Sequence, residues 1–139
     1  MKNSYVFDTG PLYLSFLGDR RVTEPLQEMG KRIADGYTCE PNLAELYYKT
    51  YEKLGRETAL LRYTSLRQSA LAIISPDDAL TRLAGDLKCS HRLGLSLVDA
   101  YIVALAKRTE SSLYTTDARI ARLKIVPTKL IELWKNCES

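Results

Sequence analysis

Apolar and polar positions change their period several times along this chain, and each change marks an element. Residues 4–7 form a short β-prone run stopped by Asp8-Thr9-Gly10-Pro11, where a carboxylate, a hydroxyl, a glycine and a proline signal a turn and a helix start. Residues 37–39 are a second, weaker strand, and Pro41 stands where the next helix begins. Leu43, Leu46, Tyr47, Thr50 and Leu54 then recur at three- and four-residue steps, which predicts one buried stripe on a helix that ends near Gly55. A further helix from about Glu57 carries Leu60, Leu61, Tyr63, Thr64 and Leu66, and gives way to β-prone Ala72-Ile73-Ile74.

Residues 77–92 return to helical spacing, with Ala79, Leu80, Leu83, Ala84 and Leu87 on one side, until Gly94 breaks the pattern. Residues 97–106 are apolar almost all round, the mark of a helix enclosed by protein on most sides. Leu113-Tyr114-Thr115 is a clear strand ending at Thr116-Asp117, followed by a short helix over residues 118–124. Beyond Pro127, the spacing of Leu130, Ile131, Leu133 and Trp134 predicts a terminal amphipathic helix. Strands separated by helices along the whole chain imply an α/β sandwich with a mainly parallel sheet.

A chain of 139 residues with 45% hydrophobic content holds one sizeable core, so residues 1–139 are expected to form a single domain. No segment has the length and apolarity of a signal peptide or a membrane span, and a cytoplasmic location is expected. Cys39, Cys89 and Cys137 are odd in number and widely separated, which excludes a disulfide framework and a zinc site. They read as reduced thiols, with a bridge between subunits through Cys137 as the lesser alternative.

Four carboxylates carry the candidate chemistry. Asp8 and Asp117 stand just beyond strand ends, where an open parallel sheet gathers reactive groups, although either taken alone reads first as an Asx turn or helix N-cap. Asp99 follows Ser96 by three positions and so fits a capping box, yet a carboxylate on a nearly all-apolar helix is costly unless paired or coordinated. Glu45 lies off the stripe of Leu43 and Leu46, compatible with a solvated face or with a cleft. Gathered together, the four would repel one another and be stable in ionised form only around a cation. Hard divalent ions with oxygen ligands fit that description, and zinc does not, since His91 is the only histidine and Cys89 the only cysteine near it in the sequence.

These segments resemble the PIN-domain family, and within it the small VapC-type toxins of toxin–antitoxin pairs. The carriers are Val6-Phe7-Asp8-Thr9, Asn42-Leu43-Ala44-Glu45-Leu46, Leu97-Val98-Asp99-Ala100 and Tyr114-Thr115-Thr116-Asp117, in that order, within a span from Tyr5 to Trp134. The resemblance implies a three-layer α/β/α sandwich with about five strands and a metal-dependent endoribonuclease. Asp8, Glu45, Asp99 and Asp117 would be its catalytic residues and ligands to Mg²⁺ or Mn²⁺, and Thr9 and Thr116 would position substrate or support the ligands. It further implies an RNA substrate, water activated by the metal as nucleophile, a homodimer and a small antitoxin partner. Two features are particular to this chain: Gly10-Pro11 makes a stiff turn after Thr9, and residues 119–124 are basic where relatives often carry further acids.

Charge then gains meaning. Setting the four acids aside leaves 13 of 17 acidic residues against 20 basic ones, about +7, a balance suited to phosphate backbones. Arg20, Arg21, Lys49, Lys53, Arg56, Arg92, Arg119 and Arg122 are candidates for an RNA-facing rim, each with ordinary solvation as its alternative. Tyr47, Tyr48, Tyr51 and Tyr63 could stack on unpaired bases, or pack in the core or at an interface. A haloacid-dehalogenase phosphatase needs a second Asp two positions after the first, where this chain has Gly10, and neither glycine-rich nucleotide-binding motif is present. The remaining alternatives are a PIN nuclease of RNA processing without an antitoxin, and a non-catalytic scaffold that binds RNA or protein.

Overall fold

The computed structural model describes residues 2–133. Five strands, β1 (Asn3–Phe7), β2 (Ala34–Cys39), β3 (Ala72–Ile74), β4 (Ser112–Thr115) and β5 (Thr128–Leu130), form one sheet in the order β3-β2-β1-β4-β5, and every pairing is parallel. Parallel neighbours need crossovers, and helices supply them: α1 (Thr9–Ser15), α2 (Arg20–Gly30), α3 (Glu40–Leu54), α4 (Arg56–Arg67), α5 (Asp78–Ser90), α6 (Leu97–Thr109) and α7 (Ala118–Leu123). The central strand β1 shows why both faces must be covered. Its consecutive Val6 and Phe7 point to opposite sides of the sheet, and both are fully buried.

Val6 joins Leu80, Ala84, Ile102, Val103, Leu105 and Leu113 in a core under α5 and α6. Phe7 joins Leu12, Val22, Leu43, Leu46 and Leu66 in a second core under α1 to α4. The result is the three-layer α/β/α sandwich that the resemblance implies, built on the parallel sheet expected from the alternation of elements. On α6, Ala100 and the run Ile102, Val103, Ala104, Leu105 and Ala106 are all buried, as the nearly uninterrupted apolar pattern requires.

Three expectations need correction. Helix α2 has no counterpart in the sequence reading, because only Val22, Pro25 and Met29 of it are buried and Pro25 lies inside the helix, where proline ordinarily argues against one. The terminal amphipathic helix is replaced, as far as residue 133, by β5: Leu113 N–H donates to Pro127 O and Ile131 N–H to Thr115 O, extending the sheet alongside β4. Trp134 and Cys137 lie outside the described residues. On α3 the buried stripe stops at Thr50, and Leu54 is exposed.

Candidate metal centre

The strand order places β1 between β2 and β4, with the chain crossing to one side of it and then to the other. The carboxyl ends of β1 and β4 therefore flank the switch point at which open α/β sheets form clefts. Asp8 follows the first of these strands and Asp117 lies two residues beyond the second. A cavity of about 450 Å³ opens there, lined among others by Asp8, Thr9, Glu45, Asp99, Thr116 and Asp117. All four candidate acids and both candidate hydroxyl residues thus reach one cavity from four separate chain segments.

Asp8 is the most enclosed of the four acids. It is the N-cap of α1 and is only 6% exposed. Oδ1 accepts from Thr9 N–H at 2.8 Å and from the Asn42 side-chain amide at 3.0 Å, and Oδ2 accepts from the Thr115 hydroxyl at 2.8 Å. Burial pushes its carboxyl up to about 6; the Thr115 and Thr9 hydrogen bonds oppose the rise, and the charges of Asp99 and Glu45 add to it.

Glu45 enters from α3, where Oε1 accepts from Thr9 Oγ1 at 2.6 Å and Oε2 stands 3.5 Å from Lys49 Nζ. Asp99 forms the capping box: its N–H donates to Ser96 Oγ at 3.1 Å, and Oδ2 accepts from Ser96 N–H at 3.3 Å. Burial raises the Asp99 carboxyl, with Asp117 and Glu45 contributing like charge. Asp117 caps α7 and behaves in the opposite sense. Burial pushes it up, but hydrogen bonds from the Arg119 guanidinium and backbone, with Oδ1 2.8 Å from Arg119 N, bring it below the usual carboxylate range.

Capping and cavity-lining are therefore not alternatives. Asp8 and Asp117 are N-caps, Asp99 completes the capping box of Ser96, and all three face the common cavity, because helix N-termini at the carboxyl edge of a parallel sheet point toward the cleft.

Two important residues were not singled out from the sequence. Thr115 is fully buried; besides holding Asp8 it accepts from Asp117 N–H at 3.0 Å, joining the two strand-end acids. Asn42 is equally buried and donates to both Asp8 and Thr9. Its Oδ1 has no hydrogen-bond partner, an omission that costs about 1–3 kcal/mol in a buried site. A polar residue at a strand's last inward position, or in a helix's first turn among apolar neighbours, was the available signal for each.

Thr116 lines the cavity, and Gly10 is what lets α1 lie against it: a Cβ on Gly10 would overlap the Thr116 hydroxyl. Among the basic candidates, Lys49, Lys53 and Arg119 line the cavity together with Tyr13, whereas Arg20 and Arg21 are tied to Glu24 and Asp19. Tyr47 packs edge-on against Tyr51 and Tyr63, with ring centroids 6.0 and 5.7 Å apart.

The donor set suits a hard divalent cation. It consists of carboxylates with no histidine or cysteine, and burial raises Asp8 and Asp99 with like charge adding to the rise, a cost that a cation would relieve. Among the described residues, no three acids stand close enough to form a ready-made ligand shell. Each carboxylate is already held by partners: Asp8 by Thr115 and Asn42, Glu45 by Thr9 and Lys49, Asp99 by Ser96 and Asp117 by Arg119.

The family model of the PIN domain matches residues 5–126. The chain belongs to the PIN-domain family. Among curated proteins, none matches this sequence significantly. Solved structures with this PIN fold include DNA-bound VapBC from Salmonella typhimurium, at 16% identity and a TM-score of 0.74 over 93% of this chain and 98% of that one. VapBC2 from Rickettsia felis, bound to a promoter DNA fragment, gives 18% identity and a TM-score of 0.73 over 91% and 98%. VapC20 from Mycobacterium tuberculosis, described as a sarcin-ricin loop cleaving toxin, gives 18% identity and a TM-score of 0.70 over 88% and 96%. The fold is thus that of VapC-type PIN proteins. Among the described residues, no helix is long and apolar enough to cross a membrane.

Proposed function

We propose that this chain is a divalent-metal-dependent endoribonuclease and the toxin of a type II toxin–antitoxin pair, with Asp8, Glu45, Asp99 and Asp117 as its catalytic acids. The observation that carries this reading is the convergence of those four acids on one cavity at the switch point of a PIN fold. They would hold Mg²⁺ or Mn²⁺, which when bound activates water and offsets charge on the phosphate. Thr9 keeps Glu45 turned toward Asp8 through its 2.6 Å hydrogen bond, and Thr116 stands at the wall where substrate would lie. Lys49, Lys53 and Arg119 give the acidic cavity a basic rim, which draws in a phosphodiester that the acids alone would repel.

RNA as substrate and a small antitoxin as partner are supported by the solved neighbours, several of which are toxin–antitoxin complexes. A homodimer and a cytoplasmic location belong to the same reading, as does a single nuclease domain over residues 1–139.

The test is cleavage of a panel of labelled RNAs with Mg²⁺, with Mn²⁺ and with EDTA, comparing wild type with Asp8→Asn. Cleavage that needs the metal and is lost in the variant supports the assignment. Protein that takes up metal and binds RNA but leaves every RNA intact would favour a non-catalytic scaffold.

A further inference from the structure

We propose that Asn42 is a positioning residue of this centre: its side-chain amide ties the carboxylate at the end of β1 to the carboxylate on α3 and presets the Asp8–Glu45 pair for a divalent ion. The inference rests on the metal-centre reading above. Asn42 lies in the first turn of α3, three residues before Glu45, so the two share a helix face directed at the end of β1. Its Nδ2 donates to Asp8 Oδ1 at 3.0 Å and to Thr9 Oγ1 at 3.2 Å. The Thr9 hydroxyl passes its own proton to Glu45 Oε1 at 2.6 Å. One amide and one hydroxyl therefore connect the two acids without a break.

The neighbours dictate which way the amide faces. An ionised Asp8 only accepts, and the Thr9 oxygen, having given its proton to Glu45, also requires a donor. A single nitrogen with two N–H groups meets both demands, which a hydroxyl or a carboxylate at position 42 could not do. The opposite end of the amide is left buried and unpartnered. That oxygen is left over because both bonds to Asp8 and Thr9 are donated from the other end of the amide. Partners behind metal ligands act in this way, orienting the ligands rather than touching the ion or the substrate.

Titration of the full chain with Mn²⁺ alone tests the proposal, using wild type, Asn42→Leu, Thr9→Val, the double variant, Asp8→Asn and Thr50→Val. Asn42→Leu should weaken Mn²⁺ binding by about 10–100-fold, and Thr9→Val by a similar factor. Because both act through one chain of hydrogen bonds, the double variant should lose far less than the product of the two losses. Thr50→Val is the control, since Thr50 is a buried polar residue on the same helix whose hydroxyl has no partner, and it should bind Mn²⁺ like wild type. In RNA cleavage the Asn42→Leu defect should close as Mn²⁺ approaches saturation, with KM for RNA unchanged.

Wild-type affinity in Asn42→Leu, or losses that simply multiply in the double variant, would overturn the proposal while leaving the metal centre intact, provided Asp8→Asn abolishes binding. Absence of Mn²⁺ binding by wild type would overturn both. If Asn42→Leu does not fold, Asn42→Ser, whose single hydroxyl cannot donate to both Asp8 and Thr9, takes its place: weakened Mn²⁺ binding upholds the link, and wild-type binding refutes it.

Discussion

The buried Thr115 hydroxyl donates to Asp8 Oδ2 at 2.8 Å, so the most buried acid of the cavity depends on a neutral neighbour from the adjacent strand. Thr115 also accepts from Asp117 N–H, which makes it the joint between the ends of β1 and β4. Thr115→Val keeps the shape and removes both bonds. It should destabilise the protein by about 1–3 kcal/mol in urea unfolding at neutral pH, since Asp8 keeps its charge in a buried site with one partner fewer. An unchanged unfolding midpoint would show that this joint is unimportant.

Asp8 makes stability depend on pH in a defined direction. Its carboxyl rises from the ordinary 3.8 to about 6 in the folded protein, mainly through burial. The folded state therefore holds this proton more tightly than the unfolded chain does. The stabilisation it gives is complete below about pH 4 and is lost as pH rises toward about 6, by up to ~3 kcal/mol. Unfolding in EDTA at a series of pH values, compared with Asp8→Asn, should show the variant gaining on wild type across that window and then levelling. A difference that does not vary with pH would contradict this.

Divalent ions should reverse the penalty. At pH 7.5, a saturating excess of about 100 times Kd should stabilise wild type by about 2.7 kcal/mol through mass action alone, and Asp8→Asn by much less. Below about pH 6 the gain should shrink, because protons compete with the ion for Asp8. Thermal melts with and without Mn²⁺ at pH 5.5 and 7.5 measure both effects. Equal gains at the two pH values would separate ion binding from Asp8.

Gly10 and Gly85 should respond in opposite ways to the same change. An alanine methyl at position 10 would overlap the Thr116 side chain, whereas at position 85, exposed on α5, it meets nothing within 4 Å. Gly10→Ala should cost about 1–3 kcal/mol and displace Thr116 from the cavity wall. Gly85→Ala should stabilise by up to about 1 kcal/mol through helix propensity. Chemical denaturation of both variants provides the comparison, and a neutral Gly10→Ala would disprove the close approach of α1 to Thr116.

The sequence was most readable where one physical effect dominated. The apolar run of α6 and the β-prone run ahead of Asp8 correspond to the buried helix and the central strand, because residues 102–106 of the one and Val6 and Phe7 of the other are buried on both sides. Helix α2 was hidden by Pro25 and by its narrow buried face. The terminal segment was misread because Leu130 and Ile131 suit a helix or a strand equally, and the free edge of β4 decided the matter. At the site, the positions of the acids relative to strand ends were visible in the sequence, and their shared cavity follows from the strand order. The roles of Asn42 and Thr115 were not visible, since a neutral residue that holds a carboxylate across 34 or 107 positions leaves no local pattern.

Anomalous diffraction from crystals soaked in Mn²⁺ tests the central claim most directly. A peak inside the cavity bounded by Asp8, Glu45, Asp99 and Asp117, absent from Asp8→Asn crystals, is the predicted result. A protein that cleaves RNA while its Mn²⁺ lies elsewhere, or persists unchanged in Asp8→Asn, would contradict the assignment of these four acids as one metal centre.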